Sequence, residues 1–180
     1  RRLSSAASDV YKRQMGVPVE FISGKGPVFA DSICKNEELR LNSKGALKKL
    51  EYVFEATSLI KASIDVPLIG FAGSPWTLFV YLYYGESPKN HDELNSFLKL
   101  KSQNTHSYLE QLTETTKDYV HAQIEAGADC IQIFDSWGGL LDEKYQELSL
   151  NYINQIAASV QVDIPIILYT RDKLIDNIID

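Results

Sequence analysis

The chain has 180 residues, 44% of them hydrophobic, which is enough to bury one globular core. Its formal net charge of −6 excludes a basic nucleic-acid surface, so any anionic ligand would have to be met by a few locally placed cations. Apolar runs such as "IPIILY" are far shorter than the roughly 20 residues that cross a bilayer, and Cys34 and Cys130 lie in unrelated contexts, as reduced thiols of a cytoplasmic protein would.

The opening stretch "RRLSSAASDVYKRQ" is small, polar and basic without periodicity, whereas apolar residues return at regular spacing from Met15. Residues 1–14 are therefore expected to be a non-native or disordered prefix, and 15–180 the domain. "PVEFI" reads as a short strand and "SGKGP" as a glycine-rich turn. In "KGALKKLEYVFEATSLI" the residues Leu47, Leu50, Val53, Phe54 and Ile60 share one stripe, the pattern of an amphipathic helix. "VPLIGFAG" reads as a strand buried on both sides. Ser74 suits the N-cap of a following helix, with Pro75 at its first position and Gly85 at its end. Asn90 and Glu93 resemble a capping box ahead of a helix bearing Leu94, Phe97 and Leu98. A long helix is predicted from about Thr105 to Ala126, with Leu109, Leu112, Tyr119, Val120 and Ile124 inward and Gly127 as its stop. The strand "ADCIQIFD", a helix over about 142–160 and the strand "IPIILYT" complete the series.

Apolar, non-alternating strands separated by helices imply a parallel sheet. A closed barrel takes eight strands, so the chain is either an open sheet or part of something larger.

"PLIGFAGSPWTLFVYLYYG", "YVHAQIEAGADCIQIFDSWGGLL" and "IPIILYT" together resemble the uroporphyrinogen decarboxylase family over about Met15 to Arg171. The resemblance implies an α/β fold, a partial (β/α) TIM-type barrel with parallel strands alternating with helices. It also implies a homodimer of haem biosynthesis that uses neither cofactor nor metal. Such an enzyme acts on a tetrapyrrole, removing carbon dioxide from the four acetate side chains of uroporphyrinogen III to give coproporphyrinogen III. In that chemistry the substrate supplies the electron sink, a protonated pyrrole beside the departing carboxylate, and the protein binds the carboxylates and stabilises the cationic ring.

In barrels of this type the residues just after each strand line the site. By resemblance Ser136 contacts the substrate through its hydroxyl, although a serine there can also simply cap the next turn. Tyr81 matches the family tyrosine that reaches the substrate; it is the expected catalytic residue and a binding residue, since a phenol donates to a carboxylate without adding charge. Without the resemblance, Tyr81 beside Tyr83 and Tyr84 would read as packing. Asp135 would repel an octa-anionic substrate and is expected to orient its neighbours instead. Trp137 either stacks on a pyrrole or fills the wall beneath it. Gly138 and Gly139 are expected to let the backbone pass close to the macrocycle. Ser74 with Pro75 either caps a helix or presents its amides to a carboxylate. Arg171 is either a substrate cation or a surface arginine.

The family's arginine-rich segment, its pyrrole-binding aspartate and its C-terminal histidine have no counterpart here, and His91, His106 and His121 all fall on predicted helices. The chain therefore reads as an internal fragment carrying about half of the enzyme, inactive alone. Two other readings remain open. One is a zinc- and corrinoid-linked methyltransferase of the same barrel superfamily, against which stand the absence of an H-x-C pair and the mid-strand, apolar setting of Cys130. The other is a non-catalytic half-barrel that binds tetrapyrroles or partner subunits.

Overall fold

The structure is a computed structural model that describes residues 19–22, 26–29, 32–33, 47–85, 104–161 and 163–171. The prefix 1–14, Cys34, His91 and the capping box at Asn90 with its helix lie outside the described residues.

The first elements form a hairpin, β1 (Val19–Ile22) paired antiparallel with β2 (Gly26–Phe29). Gly26 and Pro27, read as part of a glycine-rich turn over 23–27, instead belong to β2 and pair with Ile22 and Phe21. Helix α1 (Glu51–Lys61) follows, then β3 (Ile69–Gly73), α2 (Pro75–Tyr84), α3 (Thr105–Glu125), β4 (Cys130–Asp135), α4 (Asn151–Ser159) and β5 (Ile166–Thr170). Strands β3, β4 and β5 make one parallel sheet in that order, with Phe71, Gln132 and Ile167 in one row and Gly73, Phe134 and Tyr169 in the next. The fold is a partial (β/α) barrel type, as the alternation of strands and helices requires.

Local chemistry sets the helix limits. Ser74 accepts a hydrogen bond from Thr77 N at 3.0 Å, Pro75 occupies the first turn, and Gly85 closes α2 in the left-handed region at φ 76°. Gly127, at φ 106°, ends α3, whose residues Leu109, Leu112, Tyr119 and Val120 are buried as expected. On α1, Leu50 at the N-cap is fully buried, and Leu47, Val53 and Phe54 pack beside it. Ile60 departs from expectation: it is 47% exposed. The inward lane of that last turn belongs to Lys61, whose stem lies against Gly127 and whose Nζ reaches both oxygens of Asp129, at 2.8 and 2.7 Å.

The helices cover one face of the sheet. Ala72, Ile131 and Ile133 point into a core with Tyr119 and Val120 of α3 and Ile153 and Ile156 of α4. Each buried valine or isoleucine of this core contributes about 1.5–3 kcal/mol. A second cluster, built on Trp76, Phe79 and Leu82 of α2 with Leu109 and Leu112 of α3, sits beyond the strand ends. The other face corrects the expectation of a strand buried on both sides: Ile69 is 50% exposed, and Ile167 and Tyr169 are exposed as well. A barrel segment covers that face only with strands from elsewhere in the barrel, so apolar composition on both sides of β3 does not by itself bring burial.

The helix expected over 142–160 is also different. Two short 3₁₀ turns (Gly138–Leu140 and Asp142–Lys144) and a π-helical turn (Gln146–Leu150) precede α4. The wide turn carries Ser149, whose hydroxyl is committed to Asp135.

Candidate substrate-binding rim

Parallel pairing brings the C-terminal ends of β3, β4 and β5 to one edge, and Ser74 N donates to Phe134 O at 3.0 Å to hold the first two together. Ser74, Asp135, Ser136 and Arg171 all stand within one residue of a strand end at this edge.

Asp135 alternates with Ile131 and Ile133 on the helix side of β4 and is fully buried. Its Oδ1 accepts from Ser74 Oγ at 2.5 Å and from Thr77 Oγ1 at 3.3 Å, and its Oδ2 accepts from Ser149 Oγ at 2.8 Å. Burial pushes its pKa above the ordinary carboxylate value; the hydrogen bonds from Ser74, Ser149 and Thr77 pull the other way and do not prevail. Its charge in turn helps burial to push the Tyr145 phenol well above its usual range.

The glycines after it were expected to clear space for a macrocycle. Gly138 instead clears space for the protein: a Cβ there would fall on the Asp135 carboxylate and 2.8 Å from Tyr145 Cε2. Ser74 is likewise resolved as an N-cap, since its hydroxyl is buried between Thr77 N and Asp135.

The turn after β4 packs on α2. Trp137 N donates to Thr77 Oγ1 at 3.3 Å, and Trp137 O accepts from Trp76 Nε1 at 3.1 Å. The Tyr81 ring meets the Trp137 ring edge to face, with centroids 6.2 Å apart and planes at 75°. Tyr81, Ser136 and Trp137 are each half-buried, so part of each remains open at this edge. The Trp137 Nε1 atom is shielded from solvent and has no hydrogen-bond acceptor among the described residues. Arg171 follows β5 directly and is exposed.

Residues that the sequence reading did not single out are Thr77, Ser149 and Tyr145 around the carboxylate, and Phe134 and Tyr169 on the open sheet face. The last two lie 5.5 Å apart, with Phe71 6.5 Å on the other side of Phe134. The only sequence signal for Thr77 was its position three residues after an N-cap serine.

Of the other polar candidates, His106 bonds Tyr152 Oη at 2.7 Å and Glu147 at 3.2 Å, and His121 bonds Ser159 O at 2.9 Å, so both tie α3 to the 146–159 segment. Cys130 is a free, half-buried thiol and stands first in β4, at its strand's beginning where mid-strand was expected. No group of three or more His, Cys, Asp or Glu side chains suited to a metal ion occurs among the described residues. No helix among them is long and apolar enough to cross a membrane.

A parallel strand–helix sheet with its polar and aromatic residues gathered beyond the strand ends defines a segment of a barrel-type α/β protein. The chain belongs to the uroporphyrinogen decarboxylase family: the family model described as Uroporphyrinogen decarboxylase (URO-D) matches residues 9–179. Among curated proteins, the uroporphyrinogen decarboxylase of Francisella tularensis subsp. novicida (strain U112) is 40% identical over 162 residues, covering 87% of this chain and 47% of that protein. That of Nautilia profundicola is 37% identical over 164 residues, covering 88% and 48%. The chain thus spans about half the length of the curated relatives it matches. Among solved structures, a methyltransferase from Methanosarcina mazei superposes with a TM-score of 0.66 at 22% identity, over 90% of this chain and 48% of that one, a likeness of fold.

Proposed function

We propose that this segment forms part of the substrate rim of a uroporphyrinogen decarboxylase, a cofactor-free carboxy-lyase that converts uroporphyrinogen III to coproporphyrinogen III. The supporting observation is the edge-to-face contact between Tyr81 and Trp137, which puts the tyrosine of α2 beside the turn that carries Ser136. In this reading Ser136 donates a hydrogen bond to a substrate carboxylate. Tyr81 donates another and holds the reacting acetate where loss of carbon dioxide is favoured. The enzyme works in the cytoplasm as a homodimer, and the 180-residue chain, which spans about half the length of its curated relatives, is inactive alone.

The test uses an enzyme of full family length that carries this segment. It should consume uroporphyrinogen and release coproporphyrinogen, followed by chromatography; absence of product overturns the reading. Tyr81→Phe and Ser136→Ala each remove a donor to a charged group, about 1.5–3 kcal/mol, so kcat/KM should fall roughly 10- to 150-fold. Parental rates in both variants would remove these two residues from the site.

A second reading, zinc- and corrinoid-linked methyl transfer, is compatible with the fold shared with a methyltransferase structure. Stoichiometric zinc in the purified full-length protein would favour it over decarboxylation.

A further inference from the structure

We propose that Asp135 is a positioning residue for the rim, acting as the common end of two hydrogen-bond chains that set Tyr81 and the Ser136–Trp137 turn against each other. This rests on the reading of Tyr81 and Ser136 as substrate groups.

The polarity of the chains follows from the donors. A backbone N–H can only donate, so Thr77 N makes Ser74 Oγ an acceptor, and Trp137 N makes Thr77 Oγ1 an acceptor. Each hydroxyl then has one proton left, and each lies within reach of the same oxygen, Asp135 Oδ1. One chain runs from Thr77 N–H through Ser74 to the carboxylate and locks the first turn of α2, the helix that carries Tyr81. The other runs from Trp137 N–H through Thr77 to the same atom and locks the amide that follows Ser136. A single oxygen therefore fixes both halves of the rim.

The surroundings are built for that role. Oδ2 is taken by Ser149, and only a glycine at 138 lets the chain wrap over the carboxylate. With no exposed surface, Asp135 touches its neighbours and not a ligand. Oδ1 can accept from Ser74 and Thr77 whether or not the acid is ionised, so acceptor geometry, not charge, is the property that matters.

The experiment again uses the full-length enzyme carrying this segment, with Thr77→Val, Thr77→Ser and Asp135→Leu. Two readouts are taken: steady-state kinetics, and hydrogen exchange at the Trp137 backbone amide, which needs no substrate. Thr77→Val should speed that exchange about tenfold or more relative to other protected amides. It should lower kcat roughly 10- to 100-fold while KM moves less than about threefold. Thr77→Ser should restore both, and Asp135→Leu, which removes the Oδ1 acceptor at similar shape, should speed the exchange and lower kcat at least as much as Thr77→Val does. The proposal is overturned if Thr77→Val leaves the Trp137 amide protected, if Thr77→Ser fails to rescue, or if Asp135→Leu keeps the parental exchange and rate. Should one of Thr77→Val and Asp135→Leu fail to fold, the other decides by the same two readouts. A parent enzyme without decarboxylase activity overturns the functional reading alone, because amide exchange still judges the two chains.

Discussion

Ser74 Oγ and Asp135 Oδ1 lie 2.5 Å apart although 61 residues separate them, and that bond joins the N-cap of α2 to the end of β4. The serine thus does two jobs, satisfying a helix amide and a buried carboxylate. Ser74→Ala loses the cap, worth about 1 kcal/mol, and leaves a buried acceptor short of a donor, about 1–3 kcal/mol more. The expected loss is about 2–4 kcal/mol, read as a lower urea midpoint of the full-length protein; a shift equivalent to under about 0.5 kcal/mol would show the bond to be dispensable.

Gly138→Ala should be worse. The added methyl would sit 2.5 Å from Asp135 Cγ and 2.8 Å from Tyr145 Cε2, and neither group has room to retreat inside a packed rim. Destabilisation above about 3 kcal/mol is expected, enough to lower the melting temperature by more than Ser74→Ala does. A melting temperature equal to the parent's would mean that the seat is not tight.

Stability should depend on pH through Asp135 with a definite sign. Its folded-state pKa is raised, chiefly by burial. The protonated acid is therefore favoured in the folded state, and its contribution is fully present below the unfolded value of about 4. That contribution is lost as pH rises through the folded value. Compared with Asp135→Asn, which does not titrate, the parent should lose relative stability between acidic and neutral pH. Urea midpoints of the two proteins across that range give the answer, and a parent that gains on the variant with rising pH would contradict the assignment.

Asp129 should show the opposite sign. Its pKa is lowered, first by the hydrogen bond from Leu68 N at 2.6 Å and then by Lys61. Its contribution is present above the unfolded value of about 4 and fades as pH falls through the folded one. Because the Leu68 amide is the largest single cause, Lys61→Gln should leave part of this acid-side dependence in place, whereas Asp129→Asn should abolish it. Melting temperatures measured from neutral pH down to pH 3 separate the two; equal effects of both variants would assign the shift to the ion pair instead.

Much of the architecture was legible before any coordinates. The ends of α2 and α3 are written in Ser74-Pro75, Gly85 and Gly127, because caps and left-handed turns are satisfied within about four residues. The rim was legible only in outline. Tyr81, Ser136 and Trp137 stood in recognisable motifs, but Thr77, Ser149 and Tyr145 did not, since hydroxyls scattered along a chain carry no periodic signal.

The sequence by itself determined the limits of α2 and α3 and the alternation of β3, β4 and β5 with helices, since propensity, capping and apolar spacing act between near neighbours; it did not determine β2 or the turns ahead of α4. Tertiary structure alone decided that one sheet face stays open, that Lys61 displaces Ile60 from the inward lane, and that Gly138 makes room for Asp135. These outcomes depend on strand register and on hydrogen bonds that span 58 and 61 residues, and such partners become neighbours only when the parallel strands pair.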